Sequence, residues 1–155
     1  MTEIIITPNN CQEIVDAIKV NAAMDVVERI LELYPKAESE LEHLFTPGIY
    51  IRMFASKAGS LIMSATHETQ HPFSLLKGSA CVWTKEHGFV RFTAPHVGIT
   101  FPDTRRMIYC ETDIVWMTIH ANPDNETDVD VLKKRLILDR PNPFPHLRDE
   151  PSEPV

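Results

Sequence analysis

Chemistry is read first from two histidines held in a spaced frame. Gly59 is followed by five residues and Ala65, then one residue and His67, three residues and His71, and six residues and Gly78. Imidazole ligates metals and titrates near neutral pH, so two rings four residues apart can serve a metal or a proton. Further on, Arg105 and Arg106 stand together, and a guanidinium offers a planar fork of donors that suits a carboxylate or a phosphate. Trp83 and Trp116 can stack on a ligand, although filling the core or the wall of a fold is the plainer role for both. Cys81 and Cys110 lie in strand-like runs and read as buried small hydrophobes rather than nucleophiles. No Ser-His-Asp spacing, phosphate-binding glycine loop or zinc-finger pattern is present.

The elements that must position these residues differ along the chain. With 155 residues, 43% hydrophobic and 24% charged, the chain has the size and composition of one soluble domain with a real core. A net charge of −7 and a pI near 5.4 argue against a nucleic-acid surface, which needs clustered Lys and Arg. No apolar run approaches the roughly 20 residues that span a bilayer. The first residues, Met1 to Pro8, lack a basic region and an apolar signal core, so export is not expected. Cys11, Cys81 and Cys110, an odd and widely spaced set, read as reduced thiols of a cytosolic protein.

Residues 9–44 carry helical spacing. Asn10 and Glu13 form a capping-box pair, and Ile14, Val15, Ile18, Ala22, Val26, Val27, Ile30 and Leu33 make one apolar stripe. Pro35 breaks it, and Glu38, Glu40 and Glu42 with Leu41, Leu44 and Phe45 suggest a short acidic helix ending before Pro47-Gly48. From Ile49 to His120 the texture becomes short β-rich runs punctuated by glycine and proline. These are Ile49–Phe54, Ser60–His67, Ala80–Trp83, Phe89–Phe92, Met107–Cys110 and Ile114–His120, with Lys85–Gly88 as a hairpin loop and His87 and His96 in loops. Such a series points to a sandwich or barrel. Val129, Leu132, Leu136 and Ile137 then suggest a closing helix or an edge strand. The last 15 residues hold five prolines and read as an extended or disordered tail. The expected organisation is a helical extension over 1–47, a barrel over 48–138 and a flexible tail over 139–155.

The Gly59–Gly78 frame resembles the first signature of the cupin family, Gly-x5-His-x-His-x3-Glu-x6-Gly, with Ala65 in place of the first His and His71 in place of the Glu. The resemblance implies a mainly β fold, a cupin-type double-stranded β-barrel or jelly roll, with a metal site inside it. His67 keeps one ligand position of the pair that shares a strand face, and His71 keeps another. Two protein ligands fall short of the three usual at a catalytic metal, and His120, at the end of an apolar run, is the first candidate for a third. The second signature, Pro-x-Gly-x2-His, corresponds to Pro102–Met107, where no His occurs. If Asp103 takes the turn position, the ligand position falls on Arg106; if Thr104 does, on Met107. Arg106 is preferred, because this stretch looks like a Pro-Gly-x-Arg-Arg variant in cupin-like proteins of bacteriophage genomes. Residues 67–72 and 111–120 look similar to the same proteins, and the resemblance spans roughly residues 47–123. A solvent-facing Arg106 paired with Glu111 or Asp113 is the competing placement.

Three functions follow. One is a non-enzymatic phage accessory protein that binds a small, anionic ligand or a weak metal through Arg106, Arg105 and Trp83. Another is an enzyme using a divalent metal (Zn, Fe, Mn or Ni) on His67, His71 and His120. The third is a virion-associated protein whose barrel is scaffold. The host cytoplasm is the expected location, with the virion as the alternative, and a homodimer is the default because unpaired sheet edges need covering. Neither nucleic acid nor membrane is an expected partner. Limited proteolysis should trim residues 141–155 before it cuts the barrel; a tail that outlasts barrel cleavage would mean that it packs against folded protein.

Overall fold

Short strand-forming runs pair into two antiparallel sheets in this computed structural model, which describes Val27, residues 30–84 and residues 86–137. Nine strands are present among them: β1 (Ser39–Thr46), β2 (Gly48–Ser56), β3 (Leu61–Met63), β4 (His71–Lys77), β5 (Ser79–Thr84), β6 (Gly88–Thr93), β7 (His96–Thr100), β8 (Met107–Cys110) and β9 (Ile114–Asn122). Helix α1 (Val129–Leu136) follows. One sheet has the order β1-β2-β9-β4-β7 and the other β3-β8-β5-β6. From β2 to β9 the chain therefore passes between two four-stranded sheets in jelly-roll order, and β1 is a ninth strand added at one edge. The expected helix over residues 9–33 and the tail lie outside the described residues, except that Val27, Ile30 and Leu31 are helical.

The core lies between the sheets, where alternate residues of both meet. Phe73, Leu75, Ala80, Val82, Ile108, Cys110, Ile114 and Trp116 form one buried cluster, with Phe54, Ile62 and Phe92 packed against it. Inward positions two apart on each strand supply these side chains. A second cluster sits on the far side of the smaller sheet, where Val27 and Leu31 cover Trp83 and Met107.

Residues 39–46 differ from the helix expected there. Leu41, Leu44 and Phe45 have helical spacing, but Leu41, His43 and Phe45 also alternate with Glu40, Glu42 and Leu44. Pairing decides between the two patterns: all eight residues of β1 are in register with β2, from Ser39 opposite Ser56 to Thr46 opposite Ile49. Pro47-Gly48 makes that hairpin, with Gly48 at φ 76°, the left-handed place that follows proline in a type II turn. Two strands, β4 and β7, were not foreseen, and His96 opens β7 rather than lying in a loop. The run expected over 60–67 stops at Met63, and His67 makes only an isolated bridge to Ile137. Of the two options for residues 129–137, the helix forms, capped by Asp128, whose side chain accepts from the Asp130 and Val131 amides.

Gly59 and Gly78 both have positive φ, 83° and 85°. At Gly78 a Cβ would fall on the Asp113 carbonyl oxygen and 2.6 Å from Thr112 Oγ1, so backbone conformation and space both demand glycine. Gly78→Val should cost about 2–4 kcal/mol and lower the melting temperature by on the order of 10 °C. An unchanged melting curve would show that this turn does not constrain the fold.

Candidate functional site

Three histidines meet at one end of the space between the sheets. His71 opens β4, His120 lies near the end of β9, and His67 sits in the loop after β3. The His71 ring centroid is 4.5 Å from His67 and 4.3 Å from His120, and the His67 and His120 rings are 6.2 Å apart. The backbone brings His67 there: its amide donates to Thr104 O, its carbonyl accepts from Asp103 N, and Glu68 N donates to Leu136 O at the end of α1. Asp103 has φ 65°, so it takes the left-handed turn position that the second signature gives to glycine. Arg106 consequently turns between the sheets, 7% exposed, and Met107 packs on the opposite side with Trp83 and Val27.

Arg106 is held without a carboxylate among the described residues. Its Nη1 donates to Thr100 Oγ1 at 2.9 Å, and its guanidinium carbon lies 4.5 Å from the Phe73 ring centroid, a cation–π contact. The two carboxylates considered as its partners are engaged elsewhere: Glu111 accepts from Arg91 Nε at 2.8 Å, and Asp113 pairs with Lys57 at 3.3 Å. Phe73 in turn stacks on Trp116 at 4.8 Å with an interplanar angle of 3°. Gly98 leaves room for that ring, since a Cβ there would lie 2.6 Å from two Phe73 atoms.

A cavity of about 250 Å³ opens beside these groups. Its walls include Phe54, Trp116, Ile62 and Ile108, and its polar groups include Tyr50, Arg52, His67, Arg106, Thr118, His120 and Lys133. Three cationic side chains therefore line it, and among the described residues no Asp or Glu does. At about 30 Å³ per water molecule, the cavity suits a ligand with the bulk of roughly eight waters. His71 lies behind it, 3% exposed, with Nδ1 2.9 Å from Thr69 O. Of the expected ligand-binding residues, Arg106 lines the cavity. Arg105 does not; its Nε donates to Ser64 O at 3.2 Å and so holds the loop after β3. Trp83 does not line it either, because strand alternation turns its side chain to the far face of the smaller sheet.

Sequence reasoning missed Arg52, Tyr50, Thr100 and Lys133. For Arg52 a signal existed: it alternates with Tyr50 and Phe54 on the inward face of β2, a charge where apolar residues are expected. Lys133 reaches the mouth from α1, and no local pattern marks it.

Burial and the neighbouring cations keep the imidazoles uncharged. Burial, then His71, Arg106 and Arg52, pushes His67 from its ordinary 6.5 to about 4. Burial, then His71, His67 and Arg52, pushes His120 to about 3. His71 is also lowered, chiefly by burial, against its hydrogen bond to Thr69. Burial lowers Arg106 to about 10, which leaves it charged at neutral pH. Each imidazole has one buried ring nitrogen without a partner: His67 Nδ1, His71 Nε2 and His120 Nδ1. Even so, among the described residues no group of three or more His, Cys, Asp or Glu has the arrangement of a metal site. The rings converge, their free nitrogens do not form a coordination set, and the cations beside them oppose a further positive charge.

No family model matches the chain, and no curated protein matches it. Among solved structures, a conserved protein with a double-stranded beta-helix domain from Klebsiella pneumoniae is 14% identical, covering 59% of this chain and 84% of that one, with a TM-score of 0.49. A cupin family protein with a double-stranded beta-helix fold from Methanocaldococcus jannaschii is 10% identical over 57% of this chain and 85% of that one, at 0.47. A cupin superfamily protein from Desulfitobacterium hafniense is 11% identical over 59% and 86%, at 0.44. The strand order of this chain by itself makes it a jelly roll, the architecture that the cupin resemblance implies.

The histidines set a pH dependence. Their folded pKa values lie below 6.5, so between pH 6.5 and about 4 the unfolded chain binds protons that the folded chain refuses. Stability should fall as the pH drops through that window, and His67→Asn or His120→Asn should flatten the fall. Melting temperatures measured from pH 7.5 to 4 check this; a wild-type profile that both variants reproduce would remove the buried-neutral assignment.

Proposed function

We propose that this chain is a cupin-like binding module for a small organic anion, a carboxylate or phosphate attached to a compact apolar body. One observation carries the reading: Arg52, Arg106 and Lys133 line a 250 Å³ cavity that has no acidic lining residue among those described, in a protein of net charge −7. A buried guanidinium without a counter-charge is costly, and an anion that accepts its fork of donors offsets the cost. Arg106 anchors the charge, Phe54, Trp116 and Ile62 enclose the apolar part, and the neutral imidazoles of His67 and His120 offer hydrogen bonds of either sense. The module is read as acting by binding rather than catalysis, since among the described residues no carboxylate lines the cavity beside the imidazoles. The resemblance of residues 67–72 and 111–120 to cupin-like phage proteins supports an accessory role in a bacteriophage, exercised in the host cytoplasm.

One observation favours a second reading, a divalent metal on His67, His71 and His120: the partnerless nitrogen on each ring. Calorimetric titration separates the two. Succinate, benzoate and inorganic phosphate are the anion probes, and Zn²⁺ is the metal probe. At least one anion should bind, and Arg106→Gln and Arg52→Gln should each weaken it by tenfold or more, about 1.4 kcal/mol. Zn²⁺ should bind no tighter than the millimolar range. Micromolar Zn²⁺ binding abolished by His67→Ala, without anion binding, would replace the anion reading with the metal one.

A further inference from the structure

The guanidinium groups of the cavity stand at two places, and a row of aromatic rings joins them. On the inward face of the five-stranded sheet, Arg52 on β2 opposes Thr118 on β9, and Thr118 opposes Phe73 on β4. One rung thus carries Arg52 and Phe73 on either side of Thr118, two strand spacings or about 10 Å apart at the backbone. Arg106, immediately before β8, rests on the Phe73 ring at 4.5 Å, and the Arg52 guanidinium carbon lies 5.9 Å from the Phe54 ring centroid. Trp116 stands between these two rings, 6.3 Å from Phe54 and 4.8 Å from Phe73, with interplanar angles of 16° and 3°. Three near-parallel rings therefore have a guanidinium at each end.

The surroundings of each guanidinium agree with that separation. Beyond burial, which is the main cause for all three imidazoles, Arg106 lowers His67 and His71, whereas Arg52 lowers His67 and His120. His67 is thus within reach of both cations, and each of the other two rings answers to one. Lys133 of α1 joins Arg52: burial, then Arg52 and Lys133, lowers His43, which opposes Arg52 in register. The ion pairs among the described residues use other cations. Glu86, in the turn between β5 and β6, acts on Arg106 but does not line the cavity. A single acidic group seated on one guanidinium would leave the other uncompensated in apolar surroundings.

We infer, resting on the anion-binding reading, that the ligand is a small dianion whose two acidic groups are held apart by a short apolar spacer. One acidic group takes charge-assisted hydrogen bonds from Arg106, and the other takes them from Arg52 and Lys133. The spacer lies along Trp116 and Phe54, both in the cavity wall, and burial of its carbon atoms adds to the binding. A cavity of about 250 Å³ admits a spacer of a few carbons and excludes a long chain. Once the first group is seated, the second is held near its cation at high effective concentration, so affinity depends on the length between the two.

Calorimetric titration of the full chain with α,ω-dicarboxylates from malonate to suberate, each beside the monocarboxylate of equal carbon number, tests the inference. A dicarboxylate of intermediate length should bind about tenfold or more tightly than its monocarboxylate, with shorter and longer members weaker. Arg52→Gln, checked for an unchanged circular dichroism spectrum, should cut that advantage to less than about threefold. The length dependence in the wild-type chain decides the matter should the variant fail to fold. Dicarboxylates that bind no tighter than monocarboxylates, or equally at every length, overturn the dianion and leave anion binding standing. Inorganic phosphate that outbinds every dicarboxylate does the same, since it would put both guanidinium groups on one acidic group. If no anion of the set binds, the anion reading falls and the dianion with it.

Discussion

Arg106 brings a full charge into the space between two apolar sheets, and Phe73 receives it. The ring lies under the guanidinium at 4.5 Å, stacks on Trp116 at 4.8 Å and occupies the space that Gly98 leaves open. Cation–π and stacking contacts of this kind contribute about 0.5–2 kcal/mol each, less than full burial of a charge costs. Thr100 Oγ1 accepts a hydrogen bond from the guanidinium. Among the described residues no carboxylate lines the cavity to neutralise this charge, and the other features of the cavity take their character from that imbalance. The imidazoles stay neutral, and the apolar walls strengthen any interaction the guanidinium makes, because a low dielectric magnifies it.

The signature that residues 59–78 resemble places imidazoles and a carboxylate around a cation. Here the carboxylate position holds His71, one imidazole position holds Ala65, and the position on the facing strand points Arg106 inward. The cavity therefore carries a fixed positive charge beside the imidazoles. His120 does approach the pair, from β9, but it arrives with Nε2 2.9 Å from Thr118 Oγ1 and with Arg52 nearby. The same geometry that gathers three rings also places Arg52 and Arg106 beside them.

The two sheets divide their tasks. The smaller one is covered on its outer side by Val27 and Leu31, and the larger one exposes Val97 and Ile99 on β7 and Phe101 just beyond it. Its inner side forms most of the cavity wall through β1, β2 and β9, while α1 reaches the mouth with Lys133 and Leu136. Alternate residues of β2 and β9 thereby face the cavity and the apolar outer side of the sheet.

Much of this was legible in the residues. Glycines at fixed spacing, alternating apolar runs and the His67–His71 pair follow from local rules: left-handed turns, period-two burial and the reach of one turn. They point to a sandwich or barrel, and the resemblance of the Gly59–Gly78 frame to the cupin signature implies a jelly roll with two imidazoles inside it. Tertiary structure decided what local rules leave balanced. Residues 39–46 satisfy helical and alternating patterns alike, and only β2, in register along all eight positions, makes them a strand. Arg106 was preferred over Met107 only through a resemblance; Asp103 in the left-handed position turns Arg106 inward and Met107 outward. Arg52, Thr100 and His120 joined the site from strands distant in sequence. No local pattern encodes such a meeting, because it depends on which strands pair and in what register.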